Sequence, residues 1–431
     1  KIAPMAQELG TPWLILLCWL IAGIVSLAGA LCTAELVSMY PNSGGEYNYF
    51  QKIYGRFFSF LYGWASFSVI KTAAISALAY IFAQSLNSLL SLPVLDSDIS
   101  FLGLHLFENL SIKLLAASLI LLLTLLNYRG VQFAEKLSSV LTYAMLGAIA
   151  FFLVVGFGAE QGSMDNLTTA AKGATSDLNG WTLMKALFLA SLGAFWGYDG
   201  WNNIAFIGEE IKNPKRNLPL ALGLGTLGVM AVYVMINFVF LYVMPIDFFI
   251  ALNATPNKIA AVEVAGQLSG TIGMAMVACL ILVTTMNSTN SSILMSARML
   301  YAMARDKTFF KQAESVHPRY NTPDKALFIQ AAWAVLLVFS GSFDQLTDML
   351  VFAAFLFYAA TAVGLLYLRI KLPNAERTYK VIGYPVVPIL FLLFCITICV
   401  MTLINQPYEA MMGLVLIASG LPVYFWLGRA K

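Results

Sequence analysis

Apolar residues in this chain run in segments far longer than most helices of a soluble domain. Eleven such segments can be drawn, at 13–38, 58–86, 113–128, 137–157, 181–209, 217–244, 268–297, 325–341, 345–368, 384–405 and 407–428. Most are near the ~20 residues that an α-helix needs to cross hydrocarbon, although the third and eighth are short. Within a bilayer every backbone polar group must be satisfied internally, and apolar segments of this length do so as helices. The expectation is an all-α polytopic membrane protein, a single transmembrane body over 1–431. Composition agrees, because only 11% of residues are charged, against about 25% in a soluble domain.

The basic residues give the orientation. Alternate connections hold Lys52 and Arg56, then Arg129 and Lys136, then Lys212, Lys215 and Arg216, then six between Arg298 and Lys325, then four between Arg369 and Lys380, and finally Arg429 and Lys431. That is 19 of the 25 Lys and Arg residues, and such loops stay cytoplasmic. The C-terminus is therefore expected inside, in a multi-pass protein of the cell membrane. The first span then runs inward and Lys1 lies outside. With no initial Met and no signal-peptide pattern, the reading is that a preceding span is missing from this sequence.

One carboxylate lies deep. Asp199 sits in Trp196-Gly197-Tyr198-Asp199-Gly200-Trp201-Asn202-Asn203, within the span 181–209. A charge at that depth is expensive and marks a functional site. The two glycines suggest a helix that breaks there, and a broken helix in a membrane is tolerated where it lines a cavity. Lys71 is the other deep charge. It can pair with Asp199, which would relieve both burial costs, or each can find water separately. The small residues Ala22-Ser26-Ala30, and Gly225 with Gly228, are spaced for close helix contacts. Cys18, Cys32, Cys279, Cys395 and Cys399 fall in apolar stretches and read as small core residues. His105 and His317 lie in polar connections, which excludes histidine acid–base chemistry inside the membrane.

Three stretches carry a resemblance. Ala34-Glu35-Leu36 precedes Tyr40-Pro41-Asn42-Ser43-Gly44-Gly45-Glu46-Tyr47. Gly208-Glu209-Glu210-Ile211-Lys212-Asn213-Pro214 leads into Lys215-Arg216-Asn217-Leu218-Pro219. Tyr301-Ala302-Met303-Ala304-Arg305-Asp306 precedes His317-Pro318-Arg319 and Thr322-Pro323. In this order they resemble the amino acid–polyamine–organocation transporters, most closely the L-type amino acid transporter branch. The resemblance implies two inverted five-helix repeats plus two further helices, a leucine-transporter-like fold. Residues 1–157 would hold the rest of the first repeat (helices two to five), 181–371 the second, and 384–428 helices eleven and twelve. Helix one, whose backbone donors hold the substrate carboxylate, would end just before Lys1.

The resemblance also implies roles. Trp196, Gly197, Tyr198, Asp199, Gly200 and Asn202 would form the substrate site with Lys71. The carbonyls around Trp196 and Asp199 would take the amine, at the negative end of a half-helix, and Trp196 would be an aromatic gate. Met145 stands where the family often places a coupling lysine. Thr284, Ser288 and Thr289 offer hydroxyls for Na⁺, against the ordinary bond to a carbonyl one turn back. Phe355 and Tyr358 either face the pathway or pack. The leading function is a secondary exchanger of neutral, and with Asp199 cationic, amino acids. The alternatives are a polyamine carrier and, from another class, an intramembrane enzyme or transport-derived sensor. No cofactor, metal or nucleic-acid partner is implied, only an amino acid substrate and the bilayer. The connection 87–112 has no cysteine, so no disulfide-linked heavy chain is expected.

Overall fold

A computed structural model describes residues 1–41, 44–90, 93, 95, 108–130, 134–172, 180–255 and 257–429. His105, Asn42, Ser43 and most of the connection 87–112 lie outside the described residues, as do the side chains of Glu209 and Glu210. All the regular elements described are helices.

The chain runs α1 (Ile2–Leu9), α2 (Pro12–Met39), α3 (Glu46–Tyr54), α4 (Arg56–Ala65), α5 (Lys71–Leu90), α6 (Leu110–Tyr128), α7 (Ala134–Phe157) and α8 (Asp165–Thr168). It continues through α9 (Gly180–Tyr198), a 3₁₀ segment (Trp201–Glu210), α10 (Pro214–Val243), α11 (Ile246–Asn253) and α12 (Ala260–Arg305). It ends with α13 (Asp324–Ser340), α14 (Phe343–Lys371), α15 (Val386–Asn405), α16 (Pro407–Ala418) and α17 (Gly420–Arg429). Among the described residues, eight helical stretches are long and apolar enough to cross a membrane. The other three expected spans are present as α7, α9 and α13. The chain is thus an all-α multi-pass membrane protein.

The differences from the expected spans are local. Residues 2–9 form the short helix α1, which the apolar-length reading left outside any span; it packs on α9 and α11. α12 is two helices meeting at Ser269 and Gly270, where Gly270 has φ 61°. A π-helical turn at Ser66–Ile70 joins α4 to α5 immediately before Lys71. Such a turn inserts an extra residue into the ladder and re-aims the side chains beyond it.

Burial separates core helices from lipid-facing ones. The apolar window of the stretch Arg56–Leu90 is 78% buried and that of α14 72%, whereas that of α12 is 17%. α4–α5 and α14 therefore form the centre, with α2 and α9 against them. The expected small-residue contacts divide. Ala22, Ser26 and Ala30 are buried on α2. A Cβ on nearby Gly23 would run into the Met230 side chain of α10, so the close approach of α2 and α10 there uses that glycine. Gly225 and Gly228 instead face open space, because they sit on the exposed side of α10.

Candidate functional site

α9 stops at Tyr198 because Asp199 and Gly200 turn the chain. The Asp199 amide donates to the Trp196 carbonyl at 3.1 Å, and Gly200 takes φ 106°, a region that favours glycine. The 3₁₀ segment starts immediately after. The Gly197 carbonyl accepts from the Tyr233 hydroxyl at 2.9 Å, and the Tyr198 hydroxyl donates to the Trp19 carbonyl at 3.0 Å. Trp19, Tyr198 and Tyr233 pack ring against ring, with centroids 5.1 to 5.9 Å apart. This aromatic brace fixes the break to α2 and α10.

Around the break the side chains form three groups. In the first, Asp199 Oδ1 accepts from the Tyr358 hydroxyl at 2.9 Å. Asp199, Tyr358, Phe355, Trp201 and Ser26 line a cavity of ≈ 10 Å³, room for about one water. Phe355 is 5% exposed and packs edge-on against Phe195.

The second group surrounds Trp196. Its ring meets Phe343 edge-on at 5.2 Å. The Lys1 ammonium lies 4.3 Å from the Phe343 ring centre, pairs with Asp344 at 2.5 Å and donates to Thr347 at 2.9 Å. Two cavities, of ≈ 370 and ≈ 350 Å³, flank this cluster and share Asp344. Both cavities lie at the end where α14 begins.

The third group is polar and closed. Asn202 donates to Glu46, which also accepts from the Tyr62 hydroxyl at 3.0 Å. Lys71 donates to Asn203 at 2.6 Å and lies 5.3 Å from the Phe206 ring centre. Asn202, Glu46 and Lys71 are all at most 5% exposed. Among the described residues the ion pairs do not include Lys71 with Asp199; the 3₁₀ segment brings Asn203 to Lys71 instead. The carboxylate on that side is Glu46, whose motif was visible in sequence without its role. Burial pushes the Glu46 carboxyl above the ordinary range. The Lys71 charge and the hydrogen bonds from its own backbone amide, Asn202 and Tyr62 oppose that shift only in part.

The α12 hydroxyls Thr284 and Thr289 bond within their own helix. Thr284 donates to the Leu280 carbonyl at 2.9 Å and Thr289 to the Thr285 carbonyl at 2.7 Å, the back-bonding pattern of membrane helices. Ser288 is exposed, and Met145 is half-buried on α7.

The comparisons agree with this architecture. The amino acid permease family matches residues 2–426. The serine/threonine exchanger SteT of Bacillus subtilis is 30% identical over 98% of this chain and 90% of its own length. The human b(0,+)-type amino acid transporter 1 is 29% identical over 95% of this chain and 80% of its own. The human cystine/glutamate transporter is 27% identical over 97% and 79%. A family match over nearly the whole chain, with transporters as relatives, marks a transporter and not an enzyme: the chain belongs to the amino acid permease family, on the L-type side of the amino acid–polyamine–organocation transporters.

Proposed function

We propose that the protein is a secondary exchanger of amino acids that works by alternating access around the break at Asp199 and Gly200. The observation that carries this reading is the division of polar groups at the break. Trp196 packs on Phe343, which lines a cavity at the end where α14 begins, Asp199 lies at the break, and a closed polar cluster of Asn202, Glu46 and Lys71 lies beyond it. A substrate ammonium fits the carbonyls that end α9, and the Trp196 carbonyl keeps a lone pair beyond the one the Asp199 amide takes. Neutral amino acids are the core substrates, and Asp199 admits cationic ones by supplying a counter-charge.

Residues 1–157 and 181–371 then form two halves that rock against each other, with 384–428 outside them. The Lys and Arg bias supports a cytoplasmic C-terminus in the cell membrane. With no cysteine in 87–112, the protein works without a disulfide-linked heavy chain. The test is counterflow in liposomes: labelled serine should enter only when serine, alanine or arginine is inside. Equal uptake into empty liposomes, or stronger competition by putrescine than by any amino acid, overturns the reading.

A further inference from the structure

Glu35 on α2 is fully buried and is held by three residues through four contacts. Arg369 Nη2 donates to Oε2 at 2.7 Å, and its Nε lies 2.7 Å from Oε1. Arg377 Nε lies 3.1 Å from Oε1, and the Val381 amide donates to Oε2 at 2.7 Å. Arg377 belongs to the connection 372–385 between α14 and α15. Its side chain is 2% exposed, and it also donates to the carbonyls of Leu368 and Leu372 at the end of α14. Those carbonyls carry the negative end of the helix dipole and so help balance the second arginine. Buried charges are costly, and here three are spent on fixing a loop.

The fixed loop delivers one side chain inward. Tyr379 packs against a small buried cluster of Ala30 and Ala34 of α2 and Leu222 of α10, and Trp201 and Ile204 of the 3₁₀ segment pack against the same cluster. The 3₁₀ segment is the part of the chain that the turn at Gly200 uncouples from α9. It also forms one wall of the closed end, where Asn202 and Glu46 are buried.

We infer that the connection 372–385 is a strap for the inner gate: Glu35 anchors it, and Tyr379, through the apolar cluster it shares with Trp201 and Ile204, holds the 3₁₀ segment shut at the end where α14 finishes. Tyr379 and Glu35 are positioning residues, since neither faces the break. This inference rests on the exchange reading and adds the element that sets which side the carrier favours.

The test uses full-length protein in liposomes of one orientation, with KM for serine exchange measured on each face. Tyr379→Ala should lower KM on the strap side relative to the other by at least roughly fivefold, the low end of usual coupling between two states. Tyr379→Phe, which keeps the ring, should leave the ratio as in the parent. A cysteine placed by Ile204→Cys should react faster with an impermeant maleimide from the strap side when Tyr379→Ala is present, against the same protein without Ile204→Cys as blank. Glu35→Gln should move the ratio in the same direction; where that variant does not fold, the Tyr379 pair decides alone. Equal KM changes on both faces, a loss of maximal rate alone, or unchanged labelling overturns the strap. Absence of exchange by the parent protein would instead overturn the exchange reading.

Discussion

The Tyr358 hydroxyl donates to Asp199 at 2.9 Å, which ties α14 to the break in the chain after α9. A tyrosine satisfies a lone pair of the carboxylate and leaves its charge in place. Among the described residues no ion pair includes Asp199. Asp199→Asn should therefore lose arginine and lysine exchange while alanine and serine exchange persists. Tyr358→Phe removes a hydrogen bond to a charged group, worth about 1.5–3 kcal/mol, and should weaken every substrate class modestly. Competition of labelled alanine by arginine in each variant is the measurement. Equal losses of neutral and cationic substrates would assign Asp199 to structure.

Trp196 meets Phe343 at 5.2 Å, edge to face, and is half-buried at the end where α14 begins. A smaller ring there enlarges the space over a substrate side chain. Trp196→Phe should extend exchange toward leucine and phenylalanine, with about 1–3 kcal/mol of changed discrimination. An inhibition profile across the neutral amino acids checks it. The same rank order as the parent would make Trp196 a packing residue.

Lys71 donates to Asn203 and acts electrostatically on Glu46. Its coupling should follow that geometry. In detergent, the stability losses of Lys71→Met and Asp199→Asn should add within about 0.3–0.5 kcal/mol. Lys71→Met combined with Glu46→Gln should fall short of the sum, because each single change leaves a buried charge whose cost reaches about 3–5 kcal/mol. A double-mutant cycle by thermal denaturation separates the two pairs. Strong coupling of Lys71 to Asp199 would contradict the contacts found here.

The spans and the break were legible because both depend on chain-local properties. Apolar length marks a membrane helix, and Gly200 next to a deep carboxylate marks where one stops. What was not legible depends on contacts across the sequence. Lys71 and Asp199 were the two charges visible in depth, but Lys71 meets Asn203, 132 residues away. Glu46 stood in a quoted motif, yet nothing in its neighbourhood names Tyr62 or Asn202 as donors. Residues 2–9 were too short a helix for an apolar-length criterion. The connection 372–385 reads as a polar loop, and only the fold shows that Arg377 is buried against Glu35.

Glu46 gives a pH dependence whose sign can be worked out. It lies on α3, outside the long apolar helices. Burial raises its carboxyl above the ordinary value, and Lys71 and the donated hydrogen bonds offset only part of this. A group whose pKa is raised on folding contributes stability that is fully present below its unfolded value, about 4.3 for glutamate. That contribution is lost as pH rises through the folded value. Glu46→Gln is neutral at every pH and keeps a side chain of the same size. The melting temperature of the parent minus that of Glu46→Gln should therefore decline as pH rises from about 4.3 and level off above the folded pKa. Melting curves of the two proteins in one detergent across that range measure it. A difference that grows with pH would mean that the carboxyl is held down in the folded protein, with the Lys71 charge and the Asn202 and Tyr62 hydrogen bonds outweighing burial.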